Sequence, residues 1–162
     1  MRRAPERVVK LALLDTSARA DPPERLEARR ALIAMAEEGR FAEVVDVHFR
    51  QFVHQNRRGD ATLKRIVKAM ADETGPQAYM RQQKAILGRR DWRDSLSAIR
   101  CPTVVIVGDG DEMTPPKLSE EIAAGIRGAR LVVTADCGHL TTLERPAEVN
   151  AALVAWMADE RT

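Results

Sequence analysis

Asp111 and His139 are placed where a catalytic acid and a catalytic base are expected. An imidazole that takes and returns a proton, oriented by a carboxylate, is the working pair of many nucleophilic mechanisms. Each residue follows a strand-like run. Thr103-Val104-Val105-Ile106-Val107 is β-branched and apolar, the composition of a strand buried on both faces, and it runs into Gly108-Asp109-Gly110-Asp111. Thr114-Pro115-Pro116 then predicts a helix start, with Thr114 as N-cap and Pro115 at the first helical position. A second apolar run, Ala129 to Thr134, leads into Asp136-Cys137-Gly138-His139. Beyond Glu144-Arg145-Pro146, apolar residues at Val149, Leu153, Trp156 and Met157 predict a final helix. Two parallel strands that each deliver a polar residue from the carboxyl-end loop obey the site rule of open α/β sheets. Asp109 is the rival acid.

The stretch from Gly108 to Pro116 reads G-x-x-D-x-x-T-P-P, and that from Gly138 to Pro146 reads G-H-x-x-x-x-E-x-P. Together, in this order and at this spacing, they resemble the C-terminal part of the α/β-hydrolase fold, especially its small-molecule esterase and lactonase-like branch. The resemblance implies that Asp111 is the acid of a catalytic triad and His139 its base. Val8 to Asp15 resembles the family's sixth strand, and Met1 to Arg7 the tail of the helix before it. The fold class implied is α/β, with about three parallel strands in the family order 6-7-8, flanking helices and an all-helical cap insertion. Residues 1–20 and 100–162 would form the partial core and residues 21–99 the cap.

The nucleophile of that family, a serine in G-x-S-x-G on a sharp strand-to-helix turn, has no counterpart here. Ser17, Ser95, Ser97 and Ser119 all lack the flanking glycines. The sequence therefore reads as the second half of a hydrolase that begins just after its own nucleophile. The expected function is a serine-type acyl hydrolase portion, for esters, lactones or related substrates, inactive alone; the alternative is a non-catalytic remnant or interaction module. A small-molecule acyl substrate is expected only after completion. The expected partners are a second copy or a complementary N-terminal half, because the strand at Val8–Asp15 would lack a neighbour.

Composition narrows the rest. The 162 residues carry a net charge of +2, with 44% hydrophobic and 31% charged residues, which is ordinary for one globular domain. The charges are scattered, so neither a nucleic-acid nor a membrane partner is expected. Arg2-Arg3, Arg29-Arg30, Arg57-Arg58 and Arg89-Arg90 read as solvated helix ends. No apolar run approaches the roughly 20 residues of a spanning helix, no signal core opens the chain, and a cytoplasmic location is expected. Cys101 and Cys137 fall at opposite ends of parallel strands, beyond disulfide reach. Cys137 stands two residues from His139 and is weighed as a thiol nucleophile, but neighbours in one loop rarely align for proton transfer. His48, His54 and His139 have no metal-ligand spacing, and no cofactor is expected.

Between the first strand and Arg100 the pattern is helical. Asp21-Pro22-Pro23-Glu24 predicts an N-cap with early prolines, and Gly39 the end of that helix. A second helix is expected over Phe41–Gln55. A third should be capped by Asp60, and a break at Gly75-Pro76 should precede a fourth over Ala78–Leu87. A short helix is expected from Asp91 to about Ile99. Phe49, Phe52, Tyr79, Met80 and Trp92 are the candidates for lining an acyl pocket; apolar residues at helical spacing also pack simply against each other.

Overall fold

The computed structural model describes residues 1–159. Its sheet has three parallel strands in the order β1 (Leu11–Leu14), β2 (Thr103–Gly108), β3 (Arg130–Thr134). Leu13 stands opposite Val105, and Val105 opposite Leu131. Val104 to Val107 are wholly buried, as the β-branched run requires for a strand covered on both faces. α4 (Pro116–Gly125) covers one face, where Ile122 and Ile126 meet Val105, Leu13 and Leu131. α6 (Pro146–Met157) covers the other, where Val149 and Ala152 meet Val104 and Ile106.

β1 is shorter than the apolar run that encodes it. The Leu11 N–H bonds the Pro102 carbonyl, and pairing begins at Thr103. Residues 8–10 therefore have no β2 partner, and Val9 is 80% exposed. Residues 1–10 hold only a single 3-10 turn, Pro5–Arg7, where the resemblance implied the tail of a helix. All four β1 residues stay half-buried although helices cover both faces of the sheet, because among the described residues no strand lies beside the outer edge of β1.

The insertion between β1 and β2 is helical: α1 (Pro23–Glu37), α2 (Phe41–Phe52) and α3 (Ala61–Leu87), followed by a 3-10 stretch at Arg93–Ala98. Asp60 caps α3 as expected, its Oδ1 accepting from the Thr62 and Leu63 amides at 2.9 and 3.0 Å. Gly75, at φ 70 and ψ 160, breaks α3 into two arms ahead of Pro76. An N-terminal proline is tolerated in the second arm because its missing N–H has no partner to lose. α2 stops at Phe52 rather than Gln55, since Val53 turns extended.

Two expected caps are absent. α1 begins with Pro22 at its N-cap and no side-chain bond. The Asp21 carboxylate, 3% exposed, pairs instead with Arg29 and Arg89. Those two arginines are thus partly buried ion-pair members and not solvated helix ends. α4 has Pro115 at its N-cap, again without a side-chain bond, because the Thr114 hydroxyl is engaged elsewhere. Among the described residues, no helix is long and apolar enough to cross a membrane.

Candidate active site

The loops after β2 and β3 meet at the carboxyl end of the sheet. They approach so closely that a Cβ on Gly108 would lie 2.2 Å from the Cys137 carbonyl oxygen, so only glycine fits there. The Asp109 N–H bonds the Thr134 carbonyl, the Gly110 N–H bonds the Cys137 carbonyl, and the Cys137 N–H bonds Asp109 Oδ1 at 3.1 Å. Asp109 is therefore spent on fastening the two loops together.

Asp111 is the carboxylate that reaches the imidazole. His139 Nδ1 donates to Asp111 Oδ2 at 2.9 Å. The tautomer follows from chemistry, since an ionised carboxylate only accepts. The Thr114 hydroxyl donates to the same oxygen at 2.7 Å, and the Met113 and Thr114 amides donate to Oδ1 at 2.8 Å each. Burial is the largest influence on Asp111 and opposes its ionisation. The bond and charge of His139, with the Thr114 bonds, outweigh burial and hold the carboxyl below its ordinary value. The Asp111 side chain has no exposed surface and that of His139 has 22%, so the ring is anchored at Nδ1 and partly exposed.

The histidine loop is held from several sides. The His139 N–H bonds the Phe52 carbonyl at 2.7 Å. Buried Glu144 accepts from the Gly138 amide through Oε1 and from the His54 amide through Oε2, each at 2.9 Å. α5 (Thr141–Glu144) begins with a wholly buried Thr141, whose amide and hydroxyl both donate to Asp15 Oδ2. The sequence reading missed Asp15, Glu144 and Thr114 as site residues. Asp15 had a usable signal: like Asp111, it is a carboxylate at the carboxyl end of an apolar strand.

Of the pocket candidates, Phe52 lies against His139 with ring centroids 5.5 Å apart, and His48 stacks on Phe52 at 5.0 Å. Phe52 and Tyr79 border a cavity of about 280 Å³ shared with Val45, His48 and Leu140. The Tyr79 hydroxyl and His48 Nε2 are 2.9 Å apart. Burial, then the charge of Arg29, drives the His48 imidazole down to about 4, while burial pushes the Tyr79 phenol up to about 12, so both are neutral at ordinary pH. Phe49 packs with Val53, Leu63 and Val67; Met80 packs beside Tyr79 and Val44. Trp92 lies under the Arg2 guanidinium and borders a different hollow. A larger hollow, about 540 Å³, lies among Val8, Val9, Cys101 and Pro102. That is the amino end of the strands, remote from the pair, so volume alone does not mark the site.

None of the serines meets His139. Ser119 is buried on α4 with no partner for its hydroxyl, and the Ser17 hydroxyl accepts from the Arg19 amide. The Cys137 thiol is fully buried and pushed up to about 12, first by burial and then by Glu144 and Asp15, so it stays protonated.

A carboxylate–imidazole pair on adjacent parallel strands beneath a helical insertion is thus in place, and the sequence pattern of the alpha/beta hydrolase family matches residues 1–152. The chain belongs to the alpha/beta hydrolase family. Among its relatives, the pimeloyl-[acyl-carrier protein] methyl ester esterase of Neisseria meningitidis serogroup B is 33% identical over 159 residues. That match takes in 93% of this chain and 60% of the relative. A thermophilic esterase from Thermogutta terrifontis superposes with a TM-score of 0.88 at 28% identity, covering 96% of this chain and 58% of that one. The enol-lactonase of Burkholderia xenovorans LB400 shares the fold, with a TM-score of 0.85 at 23% identity, over 97% of this chain and 59% of its own. This alpha/beta hydrolase chain therefore spans about three-fifths of the length of the relatives it matches.

Proposed function

We propose that this chain is the acid- and base-bearing portion of a serine-type carboxylic ester hydrolase, and that it acts once a nucleophile is supplied from outside the sequence. The observation that carries the reading is the 2.9 Å bond between His139 Nδ1 and Asp111 Oδ2, on an imidazole that keeps part of its surface exposed. In the completed site the free Nε2 takes the proton of a serine hydroxyl as its oxygen attacks the acyl carbonyl. Asp111 keeps the ring in the tautomer that leaves Nε2 basic and stabilises the imidazolium. His139 then passes the proton to the departing alkoxide, and water repeats the sequence on the acyl-enzyme.

The cavity behind Phe52 supports an uncharged acyl group. Its walls are largely aromatic and aliphatic; its polar side chains, His48, Thr74, Tyr79, Gln82 and Gln83, carry no charge at ordinary pH, and His48 Nε2 bonds the Tyr79 hydroxyl. The methyl ester named for the Neisseria relative makes straight-chain acyl methyl esters a suitable probe class. Alone, the chain offers the β1 edge to a second copy or to a complementary segment.

The test is a p-nitrophenyl ester assay in two forms. The chain by itself is expected to turn over no faster than its His139→Ala variant, since losing one triad member removes nearly the whole triad effect. Joined to the nucleophile-bearing N-terminal portion of the Thermogutta esterase, it is expected to gain turnover that His139→Ala abolishes. A folded chimera without turnover would refute this reading and favour a non-catalytic module.

A further inference from the structure

Asp15 is a half-buried residue beside the Asp111–His139 pair with no part in the reaction just described. Its backbone N–H continues the ladder onto β2, bonding the Ile106 carbonyl at 2.9 Å, yet its φ is 48, a left-handed conformation that non-glycine residues rarely adopt. Such conformations persist where the surroundings impose them, and they gather at functional sites. Oδ2 accepts the Thr141 hydroxyl at 2.6 Å and the Thr141 amide at 3.2 Å. Oδ1 is buried and has no hydrogen-bond partner among the described residues.

That stranded oxygen is informative. An asparagine could hold Thr141 through one carbonyl oxygen without burying a charge. What a carboxylate adds is the charge itself, at the cost of an unsatisfied acceptor. The charged and titratable groups facing it are His139, Asp111 and the Cys137 thiol.

We propose that Asp15 is a positioning residue for His139: it ties the histidine loop to the end of β1 through Thr141, and its negative charge supports the imidazolium. This rests on His139 being the general base. Burial pushes the Asp15 carboxyl up to about 6, with the Thr141 hydroxyl bond and then the His139 charge pulling against it. A charge coupling is reciprocal, so whatever the imidazolium does for Asp15, ionised Asp15 does for the imidazolium.

The test needs no turnover, so its outcome is separate from that of the ester assay. The Asp15 carboxyl carbon is followed by NMR against pH in the unmodified chain and in His139→Gln. The midpoint is expected to move upward when the imidazole is removed; an unmoved midpoint would overturn the electrostatic role. Should His139→Gln fail to fold, the unmodified chain carries the same test. Coupled neighbours titrate in shared steps visible at both groups, and independent single-step curves at Asp15 and His139 would overturn the proposal. Amide exchange reads the positioning role. Asp15→Ala is expected to speed exchange at Thr141–Glu144 about tenfold relative to β2, with Asp15→Asn near the unmodified rate. Equal acceleration in β2 would mean general destabilisation and refute the local tie.

Discussion

At the scale of single residues, the site is a contest between burial and partners. Asp111 and Glu144 are buried carboxylates and Asp15 a half-buried one, all within a few residues of His139 or bonded to it or its loop. Asp111 has enough donors to be held below its ordinary value, whereas Asp15, with one oxygen unbonded, is raised. This predicts opposing contributions to stability across one pH window. Asp15 moves from 3.8 unfolded to about 6 folded. Between those values the folded chain binds more protons, so its contribution to stability falls as pH rises. His48 moves from 6.5 to about 4; there the unfolded chain binds more protons, and stability rises with pH. Each shift corresponds to about 3 kcal/mol at most, so the two largely cancel between pH 4 and 6. Urea unfolding across that window should show Asp15→Asn becoming steadily more stable with pH relative to the unmodified chain. His48→Asn should become steadily less so. Parallel curves for all three proteins would contradict both assignments.

At the scale of elements, the insertion and the core are joined through backbone groups. The His54 amide and the Gly138 amide share Glu144, and the Phe52 carbonyl takes the His139 N–H. Leu140 and Leu143 pack into the Phe49–Val53–Leu63–Val67 cluster of the insertion. A Cβ on Gly138 would stand 2.5 Å from the His54 nitrogen, which shows how closely the segments meet. The end of α2 therefore fixes the height of the histidine above the sheet. Glu144→Ala would strand two buried amides, each worth roughly 1–3 kcal/mol when unsatisfied. Unfolding free energy should fall by about 3 kcal/mol. The His139 ring resonance should shift with it, and a loss under about 1 kcal/mol would mean that water or another acceptor replaces the carboxylate.

At the scale of the whole molecule, the open edge of β1 dominates. Leu11 and Asp15 send their amides to β2, so alternation along the strand turns the Ala12 and Leu14 N–H groups outward. Side chains covered on both faces beside unpaired amides make a template for another strand. Light scattering at micromolar concentration should find species larger than the 18.0 kDa chain. Ala12→Pro, which removes an outward donor without touching the β2 ladder, should shift the distribution toward monomer. A clean monomer with cooperative unfolding in the unmodified chain would mean that the edge does not associate.

The sequence by itself determined the parts that depend on local chemistry. Apolar runs specified three strands, glycines and prolines set their exits, and Asp111 and His139 stood out because each follows a strand at its carboxyl end. The helical insertion, the Asp60 cap and the break at Gly75 were legible for the same reason, while the order of the three parallel strands came from the family resemblance. Tertiary structure decided where the polar side chains spend their bonds. Thr114 and Asp21 have the type and position of N-caps, yet each found a buried charged group within reach and left its helix uncapped. A buried ionised group binds a donor or a counter-charge more strongly than an exposed helix end does. The resemblance favoured Asp111 over Asp109, but only the packed loops show what each carboxylate binds, because proximity to the imidazole is a property of the packed sheet. Asp15 and Glu144 gained their places at the histidine loop from contacts spanning 126 residues and 90 residues of chain. No local pattern encodes contacts at that range.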